Sequence, residues 1–186
     1  MKRVSLFVCV LAAGCSGAGT GTPTSPSSAA PPAASPPASA ALAHGHALPL
    51  KGSFTLDTEA TFNCPPVCPP TIMSVTGTLE GTATHLGRFT AVTTDRVDLA
   101  TAAATGTYTF KAANGDELFA TTVSQGEPLV PPNISTVNGT ATIVGGTGRF
   151  AGATGSFSYR FTGAIDFVAG TSTGSGSFEG SVQIDE

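Results

Sequence analysis

Few side chains in this sequence have the type and setting for chemistry, and two carboxylates stand first among them. Asp95 shares strand parity with Val97 and Leu99, while Glu117 shares it with Phe119, Thr121 and Val123. Residues two apart lie on one face of a β-strand, so each acid is expected beside apolar neighbours. A carboxylate held in an apolar cavity loses hydration, its pKa rises, and it can act as a general acid or base. The competing expectation is that either acid reaches water at a strand end. Tyr108 and Tyr159 could orient a ligand, or simply bury their rings with the hydroxyls satisfied. His85 falls in the turn before Gly87-Arg88 and is expected to be exposed. No Gly-x-Ser-x-Gly elbow or His-Glu-x-x-His pair occurs, and Gly145-Gly146-Thr147-Gly148 lacks the lysine and helix of a phosphate loop. Asp95 and Glu117 are therefore the catalytic candidates, and no cofactor is implied.

The cysteines point to a compartment. Cys64 and Cys68 lie in Cys64-Pro65-Pro66-Val67-Cys68-Pro69-Pro70, a proline-stiffened loop. In an oxidising compartment such a pair is expected to form a disulfide, with a metal site or free thiols as alternatives. The spacing differs from that of a thioredoxin-like redox pair. Zinc would need further ligands, and the histidines are His44, His46 and His85. His44-Gly45-His46 supplies two ligands without a scaffold, so no metal site is expected.

The first residues read as an export signal: basic Met1-Lys2-Arg3, an apolar run from Val4 to Ala13, then Gly14-Cys15. That run is shorter than the ~20 residues needed to span a bilayer. Leu11-Ala12-Ala13-Gly14-Cys15 resembles the bacterial lipoprotein signal. The resemblance implies removal of residues 1–14, lipidation of Cys15, and attachment to a lipid bilayer on the extracytoplasmic side of a bacterial cell envelope. A plain secretory signal is the alternative. Residues 15–46 are Gly/Ser/Thr-rich and then Pro/Ala/Ser-rich, as a flexible tether would be. Removing Lys2 and Arg3 leaves six basic residues against twelve acidic ones, about −6. Such a balance gives no electrostatic reason to bind nucleic acid. Charged residues make up only 11% of the chain, and 23 glycines and 14 prolines argue against a coiled coil.

Residues 47–186 must then supply the elements that position any site. Threonine, valine and phenylalanine dominate, and they favour sheets. Alternation is clearest over 155–168, where Phe157, Tyr159, Phe161, Ile165 and Phe167 share one parity. A final strand repeats it with Phe178, Val182 and Ile184, after a turn over 169–174. Earlier strands are expected over 48–58, 72–84, 88–99, 105–112, 116–125 and 133–144, with Asn114-Gly115 as a tight hairpin turn. Eight antiparallel strands can bury their edges by closing into a β-barrel, and a two-sheet β-sandwich is the competing all-β arrangement. Glycines at 77, 81, 163 and 180 suit tight curvature in either. Residues 77–89 and 139–150 echo each other, both ending in Gly-Arg-Phe. Phe89 and Phe150 are expected to plug a barrel end. Arg88 and Arg149 would reach solvent, a carboxylate or a backbone carbonyl.

The stretch Gly145-Gly146-Thr147-Gly148-Arg149-Phe150-Ala151-Gly152-Ala153-Thr154-Gly155 resembles a segment of allene oxide cyclase-like and dirigent-like barrel proteins. Asn114-Gly115-Asp116-Glu117-Leu118 is similar to the polar hairpin that precedes it in related bacterial secreted proteins. The resemblance implies a calycin-like, eight-stranded antiparallel barrel over residues 48–186. In it Gly148, Arg149, Phe150, Gly152 and Gly155 form a structural turn motif. Some members hold a hydrophobic substrate in the barrel cavity. Allene oxide cyclases act on a fatty-acid epoxide and dirigent proteins steer phenoxy-radical coupling, but nothing beyond the motif matches their catalytic positions. Three readings follow. The first is a non-enzymatic, lipid-anchored binding or scaffolding barrel, the second a binder of a small apolar ligand. The third is a cyclase- or isomerase-type enzyme using a cavity carboxylate. A barrel filled by its phenylalanines would exclude the last two.

Overall fold

The structure, a computed structural model, describes residues 46–184 apart from 65 and 67. The expected export signal, Cys15 and the expected tether up to residue 45 lie outside the described residues. Eight strands follow: β1 (His46–Phe62), β2 (Ile72–Ala83), β3 (Gly87–Asp98), β4 (Ala103–Ala112), β5 (Glu117–Gly126), β6 (Ile134–Gly146), β7 (Thr154–Asp166) and β8 (Thr171–Ile184). Each pairs antiparallel with the next and β8 pairs with β1, so the sheet closes as a barrel and not as a sandwich. Closure leaves no strand edge unpaired.

Three boundaries differ from the sequence expectation, each because a neighbouring strand supplies a partner. His46 pairs with Ile184 and so opens the barrel instead of ending the tether. β1 continues to Phe62, opposite Met73. Thr171 to Gly174, expected as turn, pair with β7 instead, Gly174 facing Gly163. A Cβ on Gly174 would meet the Gly163 Cα at 2.7 Å, so this glycine serves close backbone approach rather than a turn. The turn itself falls just before, at Gly170, with φ +71°.

The barrel is plugged at the end where β1, β3, β5 and β7 begin. Phe54, Phe89, Phe110, Phe157 and Phe178 converge there, with ring centroids 5.1 Å apart for Phe157 and Phe178 and 5.4 Å for Phe89 and Phe110. Such offset and edge-on pairs add to the stabilisation from burial. Leu50, Leu86, Leu118, Phe150 and Val182 seal this end beneath them.

Phe150 arrives on a single 3-10 turn, Gly148–Phe150. Gly148 has φ +55° and a Cβ there would overlap the Asp116 carboxylate, so glycine is required twice over. Asp116 accepts the Arg149 backbone N–H at 3.2 Å, with the Arg149 Nε at 3.8 Å, while the guanidinium lies 4.8 Å from the Phe150 ring centre. Arg149 thus clamps a carboxylate. Arg88 makes no ion pair among the described residues. The echoed Gly87-Arg88-Phe89 runs straight into β3 without a helical turn, though Phe89 reaches the same plug.

On the outer wall Thr76, Thr94, Thr107, Thr121 and Thr142 stand in register across β2 to β6, all exposed. Cross-strand threonine pairs stabilise a sheet surface without charge. The low charge content belongs to this threonine cladding as well as to the uncharged N-terminal stretch. At the opposite, open end, Cys64 and Cys68 form a disulfide in the β1–β2 loop, with Cα atoms 5.1 Å apart. Asn63 braces that loop by accepting the backbone N–H groups of Thr71 and Ile72.

Candidate functional site: a polar-floored cavity in the open half of the barrel

The phenylalanines fill only half of the interior. Beyond them Ala60, Ala102, Ala104, Ser124 and Gly126 occupy lining positions, and these short side chains leave a cavity of about 200 Å³. An eight-stranded barrel is about wide enough to be filled or to hold one small ligand, so side-chain size decides between the two. Phe62 and Phe167 stand at its mouth, 48% and 59% exposed. Phe167, expected on the buried face, lies past the end of β7, where no neighbouring strand covers it.

The floor is polar. Asp95, on β3, points inward, and its two oxygens accept hydrogen bonds from Thr93 Oγ1 at 2.6 Å and Thr122 Oγ1 at 3.3 Å. Thr93 and Thr122 are the fully buried polar residues among those described, and both serve this carboxylate. Tyr108 on β4 and Tyr159 on β7 complete the floor, their rings edge to face at 5.7 Å. The Tyr108 hydroxyl turns toward Tyr159 and Thr93, and that of Tyr159 toward Ser124 and Thr122.

Two glycines make room for this arrangement. Gly106 lies directly across from Asp95, and a Cβ there would overlap the carboxylate. Gly139 lies across from Tyr159, where a Cβ would overlap the phenol ring. Glycine within a strand often marks such close approach. Neither glycine, nor either threonine, stands out as a site residue in the sequence. The available signal was parity, since Thr93 shares a face with Asp95.

Burial pushes the Asp95 carboxyl above the usual carboxylate range, and the hydrogen bonds from Thr93 and Thr122 offset part of that rise. Burial likewise raises both tyrosines, and the negative charge of Asp95 adds to the effect. Both phenols therefore remain neutral hydrogen-bonding groups through the physiological range. The arrangement can accept hydrogen bonds at a carboxylate, donate them from phenols, and enclose an apolar body.

Glu117 does not belong to the site. Its parity faces outward, across from Lys111, at the plugged end of the barrel. The inward set of β5 is Leu118, Ala120 and Thr122, whereas Val123 is 66% exposed. Phe119 and Val123 lie outside because they share the parity opposite to Leu118, Ala120 and Thr122, which face the interior. His85 is exposed in its turn at φ +63°, and Arg149 and Phe150 serve the plug. Among the described residues no group of three His, Cys, Asp or Glu side chains could hold a metal ion. A wider depression of about 990 Å³ crosses the outer wall at β1, β8 and β7 beside the Lys51–Glu179 ion pair. It is an open trough whose principal ion pair is solvated, so it offers little to hold a ligand.

Fold and site together define a closed eight-stranded antiparallel barrel, plugged at one end and hollow at the other. No protein-family model, curated protein or solved structure matches the chain.

Proposed function

We propose that this chain is an exported barrel, lipid-anchored through Cys15, that binds one small and largely apolar molecule in its open half. The carrying observation is the cavity of about 200 Å³ with Asp95 on its floor. A dry cavity of about 150 Å³ already holds benzene, and drug-sized pockets start near 300 Å³, so the expected guest is a ring with a short substituent. This reading sharpens the expectation of a binding barrel and keeps the fold, though not the activity, implied by the allene oxide cyclase-like resemblance. A carboxylate in a cavity also supports an isomerase reading. Against it, the titratable neighbours of Asp95 are tyrosines raised away from neutrality, whereas general acid–base pairs work best near the operating pH.

The test is calorimetric titration of the barrel with benzyl alcohol, alongside the Ala104→Leu variant. Leucine at 104 is expected to fill the cavity and abolish binding while leaving the barrel folded, as judged by circular dichroism. Undiminished binding in that variant would place the guest elsewhere and overturn the proposal. Mass spectrometry of protein taken from a native envelope should show an acylated N-terminus at Cys15, and an unacylated start elsewhere would remove the anchor from the reading.

A further inference from the structure

We infer that the guest is an organic cation, a small amine whose ammonium group meets Asp95 beside Tyr108 and Tyr159 and whose apolar body fills the hollow half of the barrel. This rests on the binding reading above and adds the chemical class of the ligand.

The charges around the cavity are of one sign. Its ionisable lining consists of Asp95 on the floor, Asp166 at the mouth and the two tyrosines, with no lysine, arginine or histidine. A cleft lined by one sign of charge with low-dielectric walls concentrates its field and excludes ions of that sign. A carboxylate-bearing guest is therefore disfavoured, and a neutral guest leaves the buried charge uncompensated.

Asp95 also lacks the partner that buried charges usually have. The ion pairs among the described residues are Lys51–Glu179, Arg149–Asp116 and Arg160–Glu127, all on the outer surface. Two threonine hydroxyls are its hydrogen-bond donors, and neither brings a positive charge. Burying an unpaired charge is costly, so a site that keeps one open to a cavity is matched to a cation that arrives from outside. Tyr108 and Tyr159, which line the same cavity as the carboxylate, suit the same guest, because aromatic rings attract ammonium groups more strongly once water is excluded.

The wider distribution of charge agrees. Toward the plugged end Lys51, Arg88, Lys111 and Arg149 are balanced by Glu80, Asp116, Glu117 and Glu179, while toward the mouth Glu59, Asp98, Glu127 and Asp166 outnumber the bases. Of the basic residues on the open half, Arg96 faces outward and Arg160 is taken up by Glu127 at 3.7 Å. The mouth thus draws cations toward it.

The test compares three probes of one shape: benzylamine, benzyl alcohol and benzoate. Benzylamine is expected to bind roughly tenfold more tightly than benzyl alcohol, since an ion-paired hydrogen bond exceeds a neutral one, and benzoate should not bind. Asp95→Asn should erase the preference for the amine, so that benzylamine no longer binds more tightly than benzyl alcohol. In the unaltered protein the preference should fade as pH is lowered through the raised range of the Asp95 carboxyl, where it takes up a proton while benzylamine stays charged. The groups facing Asp95 from β4, β5 and β7 are Tyr108, Thr122, Ser124 and Tyr159, none of which titrates in that window. The pH series therefore serves if Asp95→Asn fails to fold. Equal binding of benzylamine and benzyl alcohol, or a preference indifferent to pH, overturns the amine assignment and leaves the binding reading intact. Failure of both probes to bind would overturn both.

Discussion

At Asp95 two opposing effects meet: burial disfavours the carboxylate, while Thr93 and Thr122 hold it by hydrogen bonds. Burial dominates, so the folded state keeps the proton more tightly than the unfolded chain does. The sign for stability follows. Below the unfolded value of about 3.9 both states are protonated and the residue is neutral in effect. As pH rises through the raised folded value, the unfolded state is increasingly favoured, and the cost is complete above it. Asp95→Asn is therefore expected to stabilise the barrel at pH 7, the gain shrinking toward zero as pH falls below the unfolded carboxyl value. Urea titrations at pH 7 and below that value check this, and a gain that is the same at both would contradict it. The inward orientation of Asp95 was legible from the alternation with Val97. That Glu117 faces out was not, because Phe119 and Val123 form the bulkier set on their strand and yet line the outside.

Among the elements, β6 and β7 illustrate how a missing side chain builds a site. The nearest atoms to a Cβ at Gly139 all belong to the Tyr159 side chain, with no backbone among them. Gly139→Ala should cost about 1–3 kcal/mol through overpacking, and that cost should largely disappear when Tyr159 is also replaced by leucine. A double-mutant cycle read by denaturation measures the coupling; additive effects would mean that the strands, not the ring, resist the methyl group. The 3-10 turn between the same strands works in the opposite sense, by inserting bulk. Phe150 is 1% exposed beneath the aromatic plug. Phe150→Ala is expected to cost about 3–5 kcal/mol, and a loss under about 1 kcal/mol in a urea titration would show that the other rings collapse into its place. The turn motif around Gly148 and Gly152 was expected from the family resemblance, and both glycines have positive φ. The role of Gly106 and Gly139 was not, because the atoms they accommodate belong to other strands.

For the molecule as a whole, closure and hollowness are separate properties. Closure follows from β1 pairing with both β2 and β8, and it leaves the exterior free to be clad in threonine rather than charge. Hollowness follows from a difference in side-chain volume along the barrel axis: phenylalanines converge and fill one end, whereas Ala60, Ala102, Ala104, Ser124 and Gly126 open space among the larger lining residues at the other. Filling the hollow with Ala104→Leu should remove binding without loss of fold, so capacity and stability are separable here.

Period-two alternation and turn residues are local signals. They were enough to point to an all-β domain of eight strands in order and to the hairpin at Asn114-Gly115. Barrel against sandwich, the face on which each carboxylate lies, and the position of the empty space depend on which side chains from eight strands meet at one level. Only the tertiary structure decided them, because volume and burial are sums over neighbours distant in the chain.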